Sequence, residues 1–354
     1  MIITEEQKEV IRNVLKNISN KQFICIGGLA GTGKSTIIKL LKYKLDNFAV
    51  GAYTGKATNV LRKKNIKDAR TIHNLIYYPV KEEDETIWLK VSTQEFSYSG
   101  FIIDEASMVS KEIHEDLISF NKPIIYIGDH GQLEPIGTKF NLMSNPDYRL
   151  ETIHRNAGEI AHFADHLRKG NCASKFPSGK KIKVIKKNQI SDNDLPKADQ
   201  IICAFNKTRV SLNNKIRSNL GYEGILCEKE KIICLRNNRK LQLFNGMQGV
   251  VTEIHKNKIS FLSNDTLYFR LLCDYNQFGK EKNEFEFMDE KNPFDYAYAI
   301  TTHKSQGDSF GSVVVFEEKC DKWDHKKWSY TAASRARNLL IWCKSEKYIP
   351  GYLS

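Results

Sequence analysis

FICIGGLAGTGKSTIIKLL, residues 23–41, decides how the chain folds. Phe23–Gly28 is a short apolar run that ends in paired glycines, the pattern of a buried strand entering a sharp turn. Ile37, Ile38, Leu41 and then Leu45 recur at helical spacing, so residues 34–45 are expected to form a helix. Between the two, Gly28-Leu29-Ala30-Gly31-Thr32-Gly33-Lys34-Ser35 fits GxxxxGK[ST], with the strand before and the helix after that give the pattern its meaning. Glycines let the backbone wrap until its N–H groups aim at phosphate oxygens. The helix start at Ser35 and Thr36 adds partial positive charge. Lys34 is placed to neutralise β- and γ-phosphates, and Ser35 to offer a hydroxyl to Mg²⁺.

Outward from this stretch the same texture repeats. Residues 4–17 read as a capped helix, with Thr4 as cap, Gln7 three residues on, and Val10, Ile11, Val14 and Leu15 as its apolar stripe. Apolar strands recur at Phe48–Tyr53, Phe101–Asp104 and Ile124–Gly128, separated by helical or looped segments. That alternation predicts an α/β unit with a parallel sheet covered on both faces. In FIIDEAS, residues 101–107, a buried strand delivers Asp104 to its C-terminal end, where such sheets bind ligands. Asp104 would hold the Mg²⁺ shell and Glu105 would orient and deprotonate the attacking water. PIIYIGD ends at Asp129 and leads to Gln132, a neutral amide able to bond to a γ-phosphate or to water without repulsion.

After about residue 150 the pattern restarts, with strands expected at Gln200–Phe205, Ser312–Phe316 and Leu339–Cys343. From 222 to 290 short alternating strands and turn signals replace it, as in FNGMQGVVTEI, and predict a small β-barrel inserted in the second lobe. The domains are set at 1–148 and 149–354, with a protruding hairpin expected within 77–99.

Composition narrows the partners. The 354 residues carry a formal net charge of +12, which fits a polyanion such as nucleic acid and also fits a plain lysine-rich surface. The eight cysteines form no CxxC pair, and several sit inside apolar runs, which argues against zinc or a disulfide framework. His162 and His166 lie one helical turn apart, but no Glu follows His162 to make HExxH. The start is acidic and amphipathic, and no apolar run approaches the ~18–20 residues that span a bilayer. A cytoplasmic protein without a membrane partner is expected, in host cytoplasm if phage-encoded.

The order of motifs resembles a superfamily 1 helicase of the RecD/Dda-like branch, over nearly the whole chain. GLAGTGKS looks like motif I, YTGKAT (53–58) like motif Ia, and ARTIHNL (69–75) like the DNA-contact motif that follows. FIIDEAS is similar to motif II and GDHGQLEPIG to motif III. ETIHRN (151–156) resembles motif IV, AYAITTHKSQGDSF (297–310) motif V and YTAASRAR (330–337) motif VI. The resemblance implies two RecA-like lobes with an SH3-like barrel, ATP and Mg²⁺ as cofactors, and hydrolysis at the lobe interface. Gln7 matches an adenine-contacting glutamine, and Gln306 and Gly307 a link from the DNA groove to the nucleotide. Arg155 and Arg335 match the arginines offered to the γ-phosphate, with Arg337 a rival two positions away. Thr54, Lys56, Thr71, His73, Asn206, Thr208, Thr302, His303 and Lys304 match DNA-contacting positions, residue types suited to phosphate contacts. Two departures stand out: Tyr53 where proline is usual, and Ala332-Ala333 where a larger apolar residue is common.

The expectation is a monomeric motor that moves 5′-to-3′ on single-stranded DNA and opens duplex junctions in replication, recombination or repair, alongside single-strand-binding or replication proteins. Two rivals remain: a nucleotide-switched ATPase that binds single strands without processive unwinding, and an RNA-directed motor. No separate acid cluster suggests a nuclease centre.

Overall fold

Short apolar runs that alternate with helices build the first unit, Met1–Lys169 with Gln306–Asp308. The computed structural model describes residues 3–82, 85–134, 140–154, 158–238, 240–241, 243–263, 266–282, 290–321 and 323–345; of Lys56, Pro79, residues 81–82 and residues 85–88 it describes the backbone alone. Strands β1 (Phe23–Gly28), β2 (Phe48–Ala52), β3 (Arg70–Thr71), β6 (Gly100–Asp104), β7 (Ile124–Gly128) and β8 (Tyr148–Leu150) form one sheet in the order β3-β2-β6-β7-β1-β8. Every pairing in it is parallel.

Period-two geometry sends neighbouring side chains to opposite faces, and both faces are packed. Ile24, Ile26, Ile102, Ile125 and Ile127 meet Val10 and Val14 of α1 (Glu5–Asn17) and Ile37, Ile38 and Leu41 of α2 (Lys34–Lys44). Cys25, Phe101, Ile103, Ile124 and Tyr126 meet Ile72 and Leu75 of α4 (Ile72–Ile76) and Ile113 and Leu117 of α5 (Lys111–Ile118). Each fully buried isoleucine contributes about 1.5–3 kcal/mol relative to exposure. Helices α3 (Gly55–Lys63) and α6 (Glu159–Arg168) complete the unit.

α1 opens with the capping box expected from Thr4 and Gln7: Gln7 N–H donates to Thr4 Oγ1 at 3.3 Å, and Thr4 N–H donates to Gln7 Oε1 at 3.2 Å. A two-stranded hairpin, β4 (Tyr77–Glu82) with β5 (Glu85–Lys90), lies inside the 77–99 window. Its base is held to α5 by Tyr77 Oη donating to Asp116 and by Lys90 Nζ at 3.1 Å from the same carboxylate.

The second unit, Gly170–Ser305 with Ser309–Ser354, has its own parallel sheet in the order β16-β10-β17-β18-β9. These strands are β9 (Ile182–Lys186), β10 (Gln200–Cys203), β16 (Ala299–Thr301), β17 (Phe310–Phe316) and β18 (Ala336–Lys344). Ile201, Cys203, Val314 and Phe316 pack on Leu212 and Ile216 of α7 (Asn206–Asn219). Helix α8 (His325–Ala333) precedes β18. Strands β11 (Lys231–Cys234), β12 (Gln248–His255), β13 (Lys258–Ser263), β14 (Thr266–Asp274) and β15 (Asn292–Tyr296) close a barrel around Ile232, Val251, Ile259, Phe261 and Phe294. Two buried ion pairs fasten it to α7: Arg217 Nε to Glu230 Oε1 at 2.7 Å, and Arg209 to Asp295. The fold is therefore two RecA-like parallel-sheet lobes, the second carrying a small SH3-like barrel.

The packing boundary falls at Lys169/Gly170, so β8 and α6 go with the first sheet, beyond the residue 148 set from sequence. Barrel pairing runs to Tyr296, past residue 290, since β15 pairs with both β11 and β14. No helix among the described residues is long and apolar enough to cross a membrane.

Candidate nucleotide-binding site

The Gly28–Ser35 loop leaves β1 at its C-terminal end and turns on itself before α2. Thr32 Oγ1 donates to Leu29 O at 2.8 Å, and Thr32 N–H donates to the same carbonyl at 3.3 Å. Leu29 is buried and its N–H donates to Leu150 O of β8 at 3.2 Å. Gly31 and Gly33 both have φ of 83°, and Gly33 is the residue before the first turn of α2, where Thr36 N–H reaches Gly33 O at 2.8 Å. A Cβ on Gly33 would also collide with Gln7 Nε2, so only glycine fits both the conformation and the space. Ala30 lies half-buried in the middle of the loop.

Lys34 folds back over the loop. Its Nζ donates to Gly28 O at 2.7 Å and Leu29 O at 3.2 Å, and stands 3.5 Å from Asp129 Oδ2 at the end of β7. A Cβ on Gly28 would sit 2.8 Å from Lys34 Cγ, which explains the glycine there.

Asp104 ends β6, separated from β1 in the sheet only by β7. Its Oδ1 accepts the Glu105 N–H at 2.9 Å. Burial, and then the charge of Glu105 beside it, push the Asp104 carboxyl up to about 7. Glu105 itself sits in the left-handed region, φ 54° and ψ 40°, a conformation that costs a non-glycine residue about 1 kcal/mol or more. Its Oε2, with Oε1 of Gln132 and Nδ1 of His130, is buried without a hydrogen-bond partner. Unmet groups of that kind cost about 1–3 kcal/mol each. The two oxygens accept, so a donor such as a reacting water would satisfy them. Ser35 Oγ accepts from Lys64 Nζ at 2.8 Å.

These residues fit a magnesium nucleotide. A hydroxyl and a carboxylate form the all-oxygen donor set that Mg²⁺ takes, and an acid held back from ionising by burial gains most from a cation. The loop amides and the start of α2 suit polyphosphate. Among the described residues no cluster of three or more His, Cys, Asp or Glu is arranged to hold a metal.

The remaining expected residues are distributed as follows. Gln7 is buried, and its Nε2 donates to Thr32 O at 2.9 Å and lies 2.9 Å from His154 Nε2, so its amide is engaged with the loop. Gln306 Nε2 donates to Leu133 O at 2.7 Å, and Gly307, φ 75°, packs against Met108. Arg155 lies outside the described residues. Arg335 is buried in the second unit: Nε donates to Thr331 O at 3.0 Å, Nη1 to Ser305 O at 3.4 Å and Nη2 to Ser334 Oγ at 2.9 Å. Arg337 is exposed on β18.

Of the expected DNA-contacting residues, Thr54 and Thr71 cap α3 and α4, accepting N–H from Ala57 at 3.1 Å and Asn74 at 3.2 Å. An accepting hydroxyl keeps its own proton to donate. His73 is half-buried with its ring 5.7 Å from that of Tyr77, and the Lys56 side chain lies outside the described atoms. Asn206 Oδ1 accepts from Arg209 Nε at 3.2 Å, while the Thr208 hydroxyl donates to Glu318. Glu318 also accepts the N–H groups of Ala204 at 2.7 Å and Phe205 at 3.1 Å. Thr302 is fully buried, with N–H and hydroxyl both donated to Cys203 O. Burial lowers the pKa of His303, and Lys304 Nζ donates to Asn245 of the barrel. Sequence reasoning gave no part to Lys64, Asp129 or His154. Asp129 carries a signal, an acid at the end of a buried strand; Lys64 carries none.

A family model described as AAA domain matches residues 2–188, and one described as UvrD-like helicase C-terminal domain matches residues 296–342. The second match, over residues 296–342, is to the C-terminal domain of UvrD-like helicases. The chain belongs to the AAA-domain family.

Its relatives include a conjugal transfer protein TraA of Rhizobium radiobacter, 26% identical over 354 residues, covering 88% of this chain and 30% of TraA. The RecBCD subunit RecD of Buchnera aphidicola is 26% identical over 442 residues, covering 91% of this chain and 69% of RecD. The chain thus spans less than a third of the TraA length. Among solved structures, Pif1 helicases at forked double-stranded DNA align with a TM-score of 0.59 at 21% identity, covering 99% of this chain and 95% of that one. Bacteroides Pif1 bound to single-stranded DNA aligns with a TM-score of 0.57 at 20% identity and the same coverage. Both likenesses are of fold.

Proposed function

We propose that this chain is an ATP-dependent DNA helicase that translocates 5′-to-3′ on single-stranded DNA. The observation that carries the reading is the pairing of the Lys34–Ser35 loop on β1 with Asp104-Glu105 on β6, two strands away at the same edge of one parallel sheet. MgATP, when bound, supplies the phosphoryl group and a polarising cation.

Lys34 would leave the Gly28 and Leu29 carbonyls for the phosphates, and Ser35 and Asp104 would hold the cation. Glu105, with Oε2 unmet, orients the attacking water and takes its proton, while Gln132 Oε1 accepts a hydrogen bond from the same water. The part given to Arg335, stabilising charge at the γ-phosphate, rests on the resemblance of YTAASRAR. Thr54 and Thr71 hydroxyls and the Lys304 ammonium suit backbone phosphates, which position a strand without reading its sequence. Gln306 supports a link between grip and chemistry: it follows Lys304 and Ser305 in the chain and bonds to Leu133, the neighbour of Gln132.

Displacement of duplexes bearing a single-stranded tail tests the reading. Strand release from 5′-tailed substrates is expected, with none from blunt or 3′-tailed ones. Release only from 3′ tails would refute the polarity, DNA-stimulated turnover without any release would favour a nucleotide-switched binder, and stimulation by RNA alone would favour an RNA motor.

A further inference from the structure

Lys64 follows the last residue of α3, and its Nζ donates to Ser35 Oγ at 2.8 Å. The residue as a whole is exposed, and its ammonium reaches Ser35 in the first turn of α2. Neighbouring Arg62 spends its Nε on Ala69 O at 2.9 Å. Burial lowers the pKa of the Lys64 ammonium; the charge of Asp104 acts against that, and Lys34 adds to it. One positive charge is thus set against the hydroxyl assigned to the metal and within the field of the carboxylate assigned to the metal.

We infer that Lys64 is a built-in counter-ion of the Ser35–Asp104 pair, which occupies the cation position until a magnesium nucleotide displaces it. The inference rests on Ser35 and Asp104 being the metal-holding pair. A hydroxyl oxygen has two lone pairs and Ser35 already receives the ammonium on one. An ammonium and a divalent ion against the same oxygens repel each other, so metal alone competes poorly. Metal arriving with nucleotide brings its own phosphate oxygens and overcomes the competition. Because Lys64 is exposed, the displaced ammonium has a direct path into solvent. The effect is ordered loading: the protein resists bare divalent ions.

The probe is Mn²⁺ alone, titrated into nucleotide-free full-length protein and followed by electron paramagnetic resonance. Lys64→Ala is expected to bind Mn²⁺ about 5–20-fold more tightly than wild type, a screened charge contact of roughly 1–2 kcal/mol. Lys64→Arg, which keeps the charge, stays within about twofold. The gain must disappear in an Asp104→Asn background. Thermal melting checks that the variants fold. Equal or weaker Mn²⁺ binding by Lys64→Ala, with Asp104→Asn still abolishing it, overturns the role of Lys64 and leaves the metal pair standing. Mn²⁺ binding that survives both Ser35→Ala and Asp104→Asn, with or without nucleotide, overturns the metal pair and the inference together.

Discussion

Lys34 and Asp129 face each other across 3.5 Å, the aspartate side chain 1% exposed and the lysine 17%. A loop lysine that is to meet phosphate therefore has a resident anion at the end of the neighbouring strand. Removing the lysine alone takes away the positive charge that faces a buried carboxylate, which still accepts the Gly131 N–H at 3.0 Å, and that costs more than losing the pair outright. Lys34→Met should lose ATP turnover entirely and about 1–3 kcal/mol of stability in chemical denaturation. Adding Asp129→Asn should return part of that stability and none of the turnover. Strictly additive losses would show that the two side chains do not interact.

Glu105 stores backbone strain at the position given to the general base. Glu105→Gly should raise stability by about 1 kcal/mol, since glycine enters the left-handed region freely, and should abolish hydrolysis. Glu105→Gln keeps the strain and should still bind nucleotide while turning over at least ~10²-fold more slowly. A Glu105→Gly protein that melts below wild type would mean the backbone is not strained there.

Arg335 and Arg337 separate cleanly by burial. Arg335→Ala removes bonds to Thr331, Ser305 and Ser334 and should cost about 1–3 kcal/mol of stability besides turnover. Arg337→Ala, on the exposed side of β18, should change stability by no more than about 0.5 kcal/mol. Turnover lost equally in Arg337→Ala would move the catalytic arginine two positions.

Acid stability should follow Glu317. Burial alone would raise its pKa, but hydrogen bonds from His325 at 3.1 Å and the Ser345 N–H at 3.2 Å, with the charges of His325 and Lys319, outweigh burial and hold it below 4.5. A depressed folded-state pKa stabilises the protein above the unfolded value of 4.5, and the benefit fades as pH falls through the folded value. Glu317→Gln should therefore melt below wild type at pH 7, and the gap should close progressively as pH falls below 4.5. A constant gap across that range would refute the ionic role.

The first lobe and its nucleotide loop were legible because both halves of the site are contiguous signatures. A strand-loop-helix spells out Lys34 and Ser35, and another strand end spells out Asp104 and Glu105. The Thr4–Gln7 box was equally local. What escaped depends on distant partners: Gln7 reaching Thr32, Lys64 reaching Ser35, Thr302 turning inward to Cys203. β9, IKVIK, hides as an edge strand because its lysines break the apolar run. β8 is three residues long and offers no period to read.

The most direct measurement is steady-state ATP turnover by the full chain with and without single-stranded DNA. At least a tenfold stimulation is expected, weakened steeply and log-linearly by salt as phosphate contacts require. Turnover that is indifferent to single strands at every salt concentration would contradict the account.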